Sequence, residues 1–220
     1  MSDGMTLLAG FAALGTATVS DALDACGLPP GQGGLRPMWG RPTLVGFAVT
    51  VELEPLTGHS GGAHILTGAI AGAGPDDVLV VSAGGRTDVS SWGGVVSVGA
   101  ATRSVRGAVT DGACRDVARA RELGFPVFAR AQVPATARGR LQQRSVGEAI
   151  RLDGLLVHPG DVVLADEGGV VVVPRERAGE VLARARRVAE REAAIEAEVQ
   201  AGVPLPTAMR DGRLAGGEAR

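Results

Sequence analysis

The segment Val109-Thr110-Asp111-Gly112-Ala113-Cys114-Arg115-Asp116 decides how the chain is organised. Its β-branched start predicts a short strand over Gly107 to Thr110, which ends in a tight turn. A helix from Arg115 to Leu123 and a second strand from Phe125 to Ala129 are predicted to follow. A strand, a helix and another strand in this order are typical of a parallel sheet covered by helices.

The same alternation extends toward the N-terminus. Strands are predicted over Thr43 to Leu53 and over Asp77 to Val81, where apolar and β-branched residues run together. Helices are predicted over Met5 to Leu14, from a Ser20-Asp21 cap to Cys26, over His64 to Gly72 and over Trp92 to Arg103, with a loop over Gly27 to Arg41. The pattern indicates an α/β fold with a parallel or mixed sheet.

The pattern changes after Ala131. Short segments at Val146 to Leu152 and Leu155 to Val157 precede a hairpin, whose strands are Asp161 to Ala165 and Val170 to Val173. From Pro174, a helix rich in Glu, Arg and Ala is predicted to reach about Gln200. We assign residues 1–200 to a single α/β domain that includes this C-terminal helix, and residues 201–220 to a weakly ordered tail.

Composition limits the classes of partner. The 220 residues carry a net charge of −2, which gives no general attraction to nucleic acid or to an anionic membrane. Two cysteines are too few for a disulfide framework or a cysteine-rich zinc cluster. The sequence shows no basic leader and no uncharged apolar stretch of about 18 residues. We expect a cytoplasmic protein that binds neither nucleic acid nor membrane.

The chain contains no lysine, because all 22 of its Lys and Arg residues are arginine. This absence excludes a Schiff-base lysine, a pyridoxal phosphate anchor and a phosphate-loop lysine. If the protein makes or breaks carbon–carbon bonds, a metal ion is therefore favoured over an iminium as the electron sink.

Two motifs carry candidate chemistry. Arg115 beside Asp116 combines an anion-binding guanidinium with a hard oxygen ligand, which is the minimum needed to handle a metal-chelated oxo-acid. Gly93-Gly94-Val95-Val96 opens a helix whose free N–H groups can converge on a carboxylate. Each motif has a structural alternative, a helix cap for the first and a tight turn for the second. Both lie where open α/β sheets bind ligands, so each supports the other.

These residues also carry a resemblance that covers most of the chain, from about Thr16 to Glu192. The chain resembles the family that contains the regulator of ribonuclease activity A and the 4-hydroxy-4-methyl-2-oxoglutarate aldolases. Twenty residues separate Gly94 from Arg115, which is the spacing of the family's metal and substrate motif. The other matching segments are Thr18 to Leu23, Asp77 to Val81, Trp92-Gly93, Val109 to Gly112, Gly124 to Arg130, His158 to Asp161, Ala165-Asp166 and Val173-Pro174.

The resemblance implies a swivelling β/β/α-type layered fold that assembles into a homotrimer or hexamer, with sites between subunits. It implies that Asp116 holds Mg²⁺, or another divalent cation such as Mn²⁺, largely through water. It further implies that Arg115 contacts the substrate as a catalytic residue and that the amides of Gly93, Gly94, Val95 and Val96 bind its pyruvate carboxylate. Glu192 on the C-terminal helix resembles a family glutamate that reaches a neighbouring subunit's site, although a solvated glutamate is an equal alternative.

The chain departs from the family pattern at two positions. Active aldolases of the family carry an aspartate where this chain has Gly94, and that acid organises the water which protonates the enolate. An acidic residue also often stands three positions after Asp116, where this chain has Arg119. Both departures weaken the aldolase interpretation.

Other candidate residues have mainly structural interpretations. His59 and His64 are five residues apart rather than four, which favours pocket-edge or structural roles over a helical metal pair. Cys114 has no histidine at a recognisable spacing, which favours packing over nucleophilic chemistry. Four arginines are candidates for a second substrate carboxylate, a neighbouring subunit or plain solvent exposure: Arg130, Arg138, Arg140 and Arg144. A menaquinone methyltransferase function is rejected, since no Gly-rich nucleotide fingerprint follows a strand.

Two functions are compatible with these residues. The favoured one is a Mg²⁺-dependent lyase that acts on a small pyruvate-containing oxo-acid, by retro-aldol cleavage or by decarboxylation of oxaloacetate. The competing one is a non-catalytic binding protein similar to the family's ribonuclease regulator. The retained Arg115-Asp116 pair favours the enzyme, whereas Gly94 and Arg119 favour the binding protein.

Overall fold

The computed structural model describes residues 3–58 and 64–210. Its strands are β1 Arg36–Pro37, β2 Leu44–Pro55, β3 Asp77–Ser82, β4 Ser90–Trp92, β5 Gly107–Thr110, β6 Ala113–Cys114, β7 Val127–Ala129, β8 Ala131–Gln132, β9 Leu141–Val146, β10 Ile150–Leu152, β11 Leu155–Val157, β12 Val162–Asp166 and β13 Gly169–Val173. Its α-helices are α1 Asp3–Ala12, α2 Thr16–Ala25, α3 Thr67–Gly72, α4 Gly94–Thr102, α5 Val117–Glu122, α6 Ala178–Gln200 and α7 Leu205–Ala208.

A mixed sheet forms the centre of the fold. Within the described residues its strands lie in the order β1-β7-β5-β3-β2-β12-β13, and β9 pairs with the far end of β2. Strands β2, β3, β5 and β7 run parallel, as the β-α alternation predicts, whereas β12 and β13 form the predicted antiparallel hairpin. Strands β4, β6 and β8 form a smaller parallel sheet in that order. The predicted layered α/β fold class is confirmed.

Alternation along the strands builds the core on both sides of the sheet. In β3, Val78 and Val80 face the cluster that contains the β10–β11 hairpin, whereas Leu79 and Val81 face helices α3, α4 and α5. In β12, Val162 and Leu164 pack against helices α1, α2 and α6, whereas the alternate residues of the strand join the cluster of the β10–β11 hairpin. Since both faces are buried, these strands read as continuous apolar runs rather than as an alternating pattern.

Several predicted boundaries are corrected by the structure. Helix α2 begins at Thr16, so Ser20 and Asp21 lie inside it and do not cap it. Trp92 ends strand β4, and the helix that was predicted to start there begins at Gly94. Arg115 and Asp116 precede α5, which starts at Val117. The helix predicted from Pro174 opens with a 3₁₀ turn over Arg175–Arg177 before α6.

The C-terminal segment continues past the long helix. Helix α7 follows α6 and buries Ala208, so part of the segment predicted as a tail has regular structure, while residues 211–220 lie outside the described residues. Among the residues that the structure describes, no single helix has the length and apolar character needed to span a membrane. The pair Gly4–Ala12 and Thr16–Ala25, bent by 113°, meets that criterion only jointly.

Candidate functional site

The two predicted motifs meet at one edge of the small sheet. Strand β4 pairs in parallel with β6, so the residues that leave the two strands emerge side by side. The backbone N–H of Arg115 donates to the carbonyl of Trp92 at 2.9 Å, which places Gly93 next to Arg115. A Cβ added at Gly93 would lie 3.4 Å from both Cγ and Nε of Arg115, so a side chain there would crowd the arginine. The structure thus brings together residues that are far apart in sequence.

The start of helix α4 presents backbone donors that the helix does not use. Its first hydrogen bond runs from the Ser97 N–H to the Gly93 carbonyl at 3.1 Å, which leaves the N–H groups of Gly94, Val95 and Val96 outside the helical ladder. The Gly94 N–H donates to Oδ2 of Asp116 at 3.2 Å. The donors of Val95 and Val96 are therefore the ones that the geometry leaves for an anion.

Trp92 fixes the start of this helix. Its buried indole donates to the Ser97 hydroxyl at 2.8 Å, and that hydroxyl donates to the Gly93 carbonyl at 3.0 Å. The indole also stacks on Phe125, with ring centroids 5.9 Å apart and an interplanar angle of 3°. A rigid tryptophan thus orders the turn that aims the free N–H groups.

Asp116 has an unusual backbone and an incompletely used carboxylate. It adopts the left-handed conformation, with φ 57° and ψ 35°, which aspartate tolerates better than most residues. Its Oδ2 accepts the Gly94 N–H and lies 3.4 Å from Nε of Arg115. Its Oδ1 accepts no hydrogen bond from the described part of the chain, and half of the side chain is exposed. The carboxylate therefore keeps unused acceptor positions beside a guanidinium.

A cleft opens next to these groups. Its volume is about 190 Å³, and its walls come from the segments 64–66, 90–96 and 136–138 together with Arg115. The cleft therefore has room for a small organic acid. Residues Gly93–Val96, whose free N–H groups we call the amide cradle, line the cleft together with Arg115, and Asp116 lies beside it against Gly94 and Arg115.

The side chains beside this cleft include one carboxylate that could contribute to a metal site. No group of three or more His, Cys, Asp or Glu residues in the described ranges of one chain is placed to hold a metal ion. Mg²⁺ prefers oxygen ligands, keeps several waters and commonly uses one or two carboxylates plus ligand oxygens. The half-exposed side chain of Asp116 supplies one such carboxylate, which is the type of ligand that Mg²⁺ or Mn²⁺ uses.

Glu192 does not line this cleft within one chain. It is exposed on α6, where Oε2 accepts a hydrogen bond from the Thr18 hydroxyl at 3.3 Å. Its predicted role at the site of a second copy stays a prediction.

The structure locates two of the three remaining candidates, His64 and Cys114. His64 lines the cleft edge, whereas His59 lies outside the described residues. Burial raises the pKa of the Cys114 thiol to about 12, and the Asp116 charge acts in the same direction. A thiol with that pKa is not ionised near neutral pH, which supports packing rather than nucleophilic chemistry.

Sequence reasoning missed much of the wall of the cleft. Ser90, Ser91 and Thr136 line it although no motif contains them. The Ser91 hydroxyl is already used, since it lies 2.7 Å from the Thr110 hydroxyl and donates to the Ala113 carbonyl. Ser90-Ser91-Trp92 leads into Gly93, but a strand of three residues carries no pattern that would have predicted it from the sequence.

The sequence matches a family model over most of its folded part. The model is described as RraA-like, Aldolase/RraA, and it matches residues 16–172. A Halalkalibacterium halodurans protein that carries the provisional name 4-hydroxy-4-methyl-2-oxoglutarate aldolase is 31% identical over 177 residues, which are 80% of each chain. Protein DlpA of Legionella pneumophila is 28% identical over 89% of this chain, and this chain spans 32% of DlpA.

Solved structures share the same fold. An uncharacterized protein from Pseudomonas syringae pv. tomato superposes with a TM-score of 0.84 at 31% identity, over 93% of this chain and 96% of that one. Streptomyces coelicolor RraAS2, described as an unusual member of the RNase ES inhibitor RraA protein family, superposes with a TM-score of 0.80 at 28% identity, over 88% of this chain and 97% of that one.

Proposed function

Because the chain belongs to the RraA-like family, we propose that it is a lyase that releases pyruvate from a small oxo-acid, with Mg²⁺ or Mn²⁺ at Asp116. The observation that carries the proposal is the convergence, at one small cleft, of free helix N–H groups, the Arg115 guanidinium and an Asp116 oxygen that accepts no hydrogen bond from the described residues. These groups match the carboxylate, the 2-oxo group and the charge of such a ligand.

In this proposal, different residues of the chain bind different parts of the ligand. The N–H groups of Val95 and Val96 bind and orient the carboxylate, as helix N-termini do for anions. The Arg115 fork donates to the oxygen on which negative charge develops when the bond breaks. Asp116 would hold the divalent cation, which supplies further positive charge near that oxygen.

The reaction balances without any redox partner. In a 4-hydroxy-2-oxo acid the C3–C4 bond breaks, the C4 hydroxyl loses its proton and becomes a carbonyl, and the bonding pair enters the pyruvate enolate. A proton added at C3 then gives pyruvate. In oxaloacetate the same C3–C4 bond breaks, CO₂ leaves and the same enolate is protonated. Glu192 takes part only if a second copy of the chain brings it to the cleft, in the homotrimer or hexamer that we also propose.

The test is a pyruvate-release assay over a panel of 4-hydroxy-2-oxo acids and oxaloacetate, with and without Mg²⁺. We expect release from at least one panel member, loss of release in EDTA and recovery when Mg²⁺ is restored. Oxaloacetate decarboxylates slowly with free Mg²⁺, so the Asp116→Ala protein is the blank. Folded protein that releases no pyruvate from any compound would refute the proposal.

A binding function is the second candidate. Two residues favour it: Gly94 lacks the carboxylate of active family members, and Arg119 replaces an acid while its guanidinium pairs with Glu122 at 2.9 Å. Streptomyces coelicolor RraAS2, described as a member of the RNase ES inhibitor RraA protein family, indicates the kind of partner. Inhibition of a ribonuclease E-type enzyme by protein that is inactive on the whole panel would favour this candidate.

A further inference from the structure

We propose that His64 carries the proton of the reaction: its imidazole takes the proton from the C4 hydroxyl of the oxo-acid and returns it to C3 of the enolate. This inference rests on the proposed function, since it takes the oxo-acid to be cleaved in the cleft beside α4 and Arg115.

The lining of the cleft limits which group can carry this proton. Its described lining residues include no Asp, Glu or Cys, and Gly94 has no side chain. Arg115 and Arg138 stay protonated in proteins and cannot accept a proton. Asp116 lies beside the cleft, but its carboxylate is assigned to the cation. Imidazole both gives and takes protons near neutral pH, and His64 is the one described lining residue that carries it.

A hydrogen bond fixes which ring nitrogen of His64 is available. Nδ1 lies 2.8 Å from the carbonyl oxygen of Ile65. A carbonyl oxygen only accepts hydrogen bonds, so this contact assigns a hydrogen to Nδ1 as the donor. In the neutral ring the free lone pair is then on Nε2. Nε2 is therefore the atom that exchanges a proton with the ligand.

The backbone that carries His64 is held in place. Its carbonyl accepts the hydroxyl of Thr67 at 2.8 Å and the N–H of the same residue at 3.4 Å. Leu66 is buried in the core, and its N–H donates to Oε1 of Gln143 on β9 at 3.0 Å. The side chain of His64 is exposed, so water can restore the protonation state of the ring between turnovers.

The two proton transfers balance with the cleavage. As the C3–C4 bond breaks, Nε2 accepts the C4 hydroxyl proton, the ring becomes imidazolium and the bonding pair enters the enolate. The imidazolium then donates that proton to C3, which gives pyruvate and restores the neutral ring. Oxaloacetate needs only the second transfer, for which the ring takes its proton from solvent. The reverse of the second transfer removes a methyl hydrogen from pyruvate.

The experiment follows this reverse step as exchange of the pyruvate methyl hydrogens with D₂O, measured by proton NMR in the presence of Mg²⁺. Pyruvate is the product from every compound of the panel, so the second product need not be known. The variants are His64→Ala and the matched control His158→Ala, which removes an exposed imidazole from the turn between β11 and β12, outside the cleft. Each protein is also measured with added imidazole, against a blank that contains imidazole and Mg²⁺ without protein.

We expect wild type and His158→Ala to exchange at equal rates, and His64→Ala to exchange about 10²-fold more slowly or less, as for the loss of general acid–base catalysis. Added imidazole should raise the rate of His64→Ala above the blank and leave wild type unchanged. Wild-type exchange in His64→Ala, or slow exchange that does not respond to imidazole in protein with the wild-type melting temperature, would overturn the proposal.

The two failures give different results. Exchange that His64→Ala retains removes His64 and leaves the lyase in place. No exchange by wild type also overturns the assignment of His64, and the pyruvate-release assay then decides separately whether the protein is a lyase.

Discussion

Two aspartates stand at the N-termini of two helices and are used in opposite ways. At α2, both oxygens of Asp166 have protein donors: Oδ2 accepts the Thr16 N–H at 2.8 Å, and Oδ1 accepts the Thr16 hydroxyl at 2.6 Å and the Gly168 N–H at 2.7 Å. At α4, the Asp116 carboxylate accepts only the Gly94 N–H, at 3.2 Å, from the described residues, besides its contact with Arg115. The first carboxylate is satisfied by the protein, and the second is not.

The contrast separates a structural carboxylate from a binding one. A carboxylate has about four acceptor positions, and a folding role uses most of them within the chain. Asp166 caps a helix from 150 residues away and so fixes the packing of α2. Asp116 keeps its capacity for groups from outside, next to free amides and a guanidinium. Four substitutions test this difference.

Replacing Asp116 by alanine should have the largest effect. We expect Mg²⁺-dependent turnover to fall by about 10³-fold or more, because a catalytic cation contributes several kcal/mol of charge stabilisation. The melting temperature should stay within about 3 °C of wild type, since one exposed hydrogen bond is worth about 1 kcal/mol or less. Steady-state kinetics with calorimetric melting tests both parts, and wild-type activity in metal-supplemented buffer would remove Asp116 from the site.

Replacing Gly94 by aspartate should act in the opposite direction. If the missing carboxylate limits protonation of the enolate, turnover should rise by about 10²-fold, the lower end of what general acid–base catalysis supplies. The lower end is expected because an added Cβ would lie 3.0 Å from Cβ of Asp116 and 3.4 Å from Cβ of Arg119, so the neighbours must shift. The φ of Gly94 is not positive, so the backbone adds no strain.

The control for Gly94→Asp is Gly94→Ala, which adds the same crowding without the acid. A folded, Mg²⁺-binding Gly94→Asp protein that gains nothing over Gly94→Ala on any panel compound would count against the lyase and favour the binding protein.

Replacing Arg115 by lysine should reduce kcat/KM by about 10- to 100-fold although the charge is kept. The guanidinium fork can span two oxygens, whereas an ammonium is a point donor. The change should appear mainly in kcat if the bonds strengthen as negative charge develops. Wild-type kinetics in this variant would show that the guanidinium does not bind substrate.

Replacing Asp166 by alanine should have the smallest effect on chemistry. We expect a loss of about 1–2 kcal/mol in the free energy of unfolding, as for other helix caps, and turnover within about 2-fold of wild type. Urea denaturation and the pyruvate assay measure the two quantities on the same sample. If Asp166→Ala lost activity as strongly as Asp116→Ala, the distinction between the two carboxylates would fail.

The elements that could be predicted from the sequence are those with a local pattern of their own. Strands β3 and β5 were predicted because buried parallel strands are continuous apolar runs. The Arg115-Asp116 and Gly93–Val96 motifs were found by residue type, as an arginine beside an aspartate and as glycines that open a predicted helix. Strand β4 was missed because Ser90-Ser91-Trp92 has three residues and exists through its pairing with β6.

Long-range contacts account for the other differences. The Ser20-Asp21 cap was a reasonable local prediction, but Asp166 caps α2 from the hairpin at the far end of the sequence. Arg138 lines the cleft, but it could not be separated from Arg130, Arg140 and Arg144 by sequence, because the ion pairs that occupy two of them and the turn that places Arg138 form only in the fold.

Binding of Mn²⁺ is the sharpest test of Asp116 as the carboxylate that holds a metal ion. The electron paramagnetic resonance signal of free Mn²⁺ is measured in the presence of oxalate, a mimic of the pyruvate enolate, as wild type, Asp116→Ala or Asp166→Ala protein is added. We predict that wild type and Asp166→Ala remove the free signal with one ion per chain, and that Asp116→Ala leaves it. Equal Mn²⁺ uptake by wild type and Asp116→Ala would contradict the assignment of the metal to Asp116.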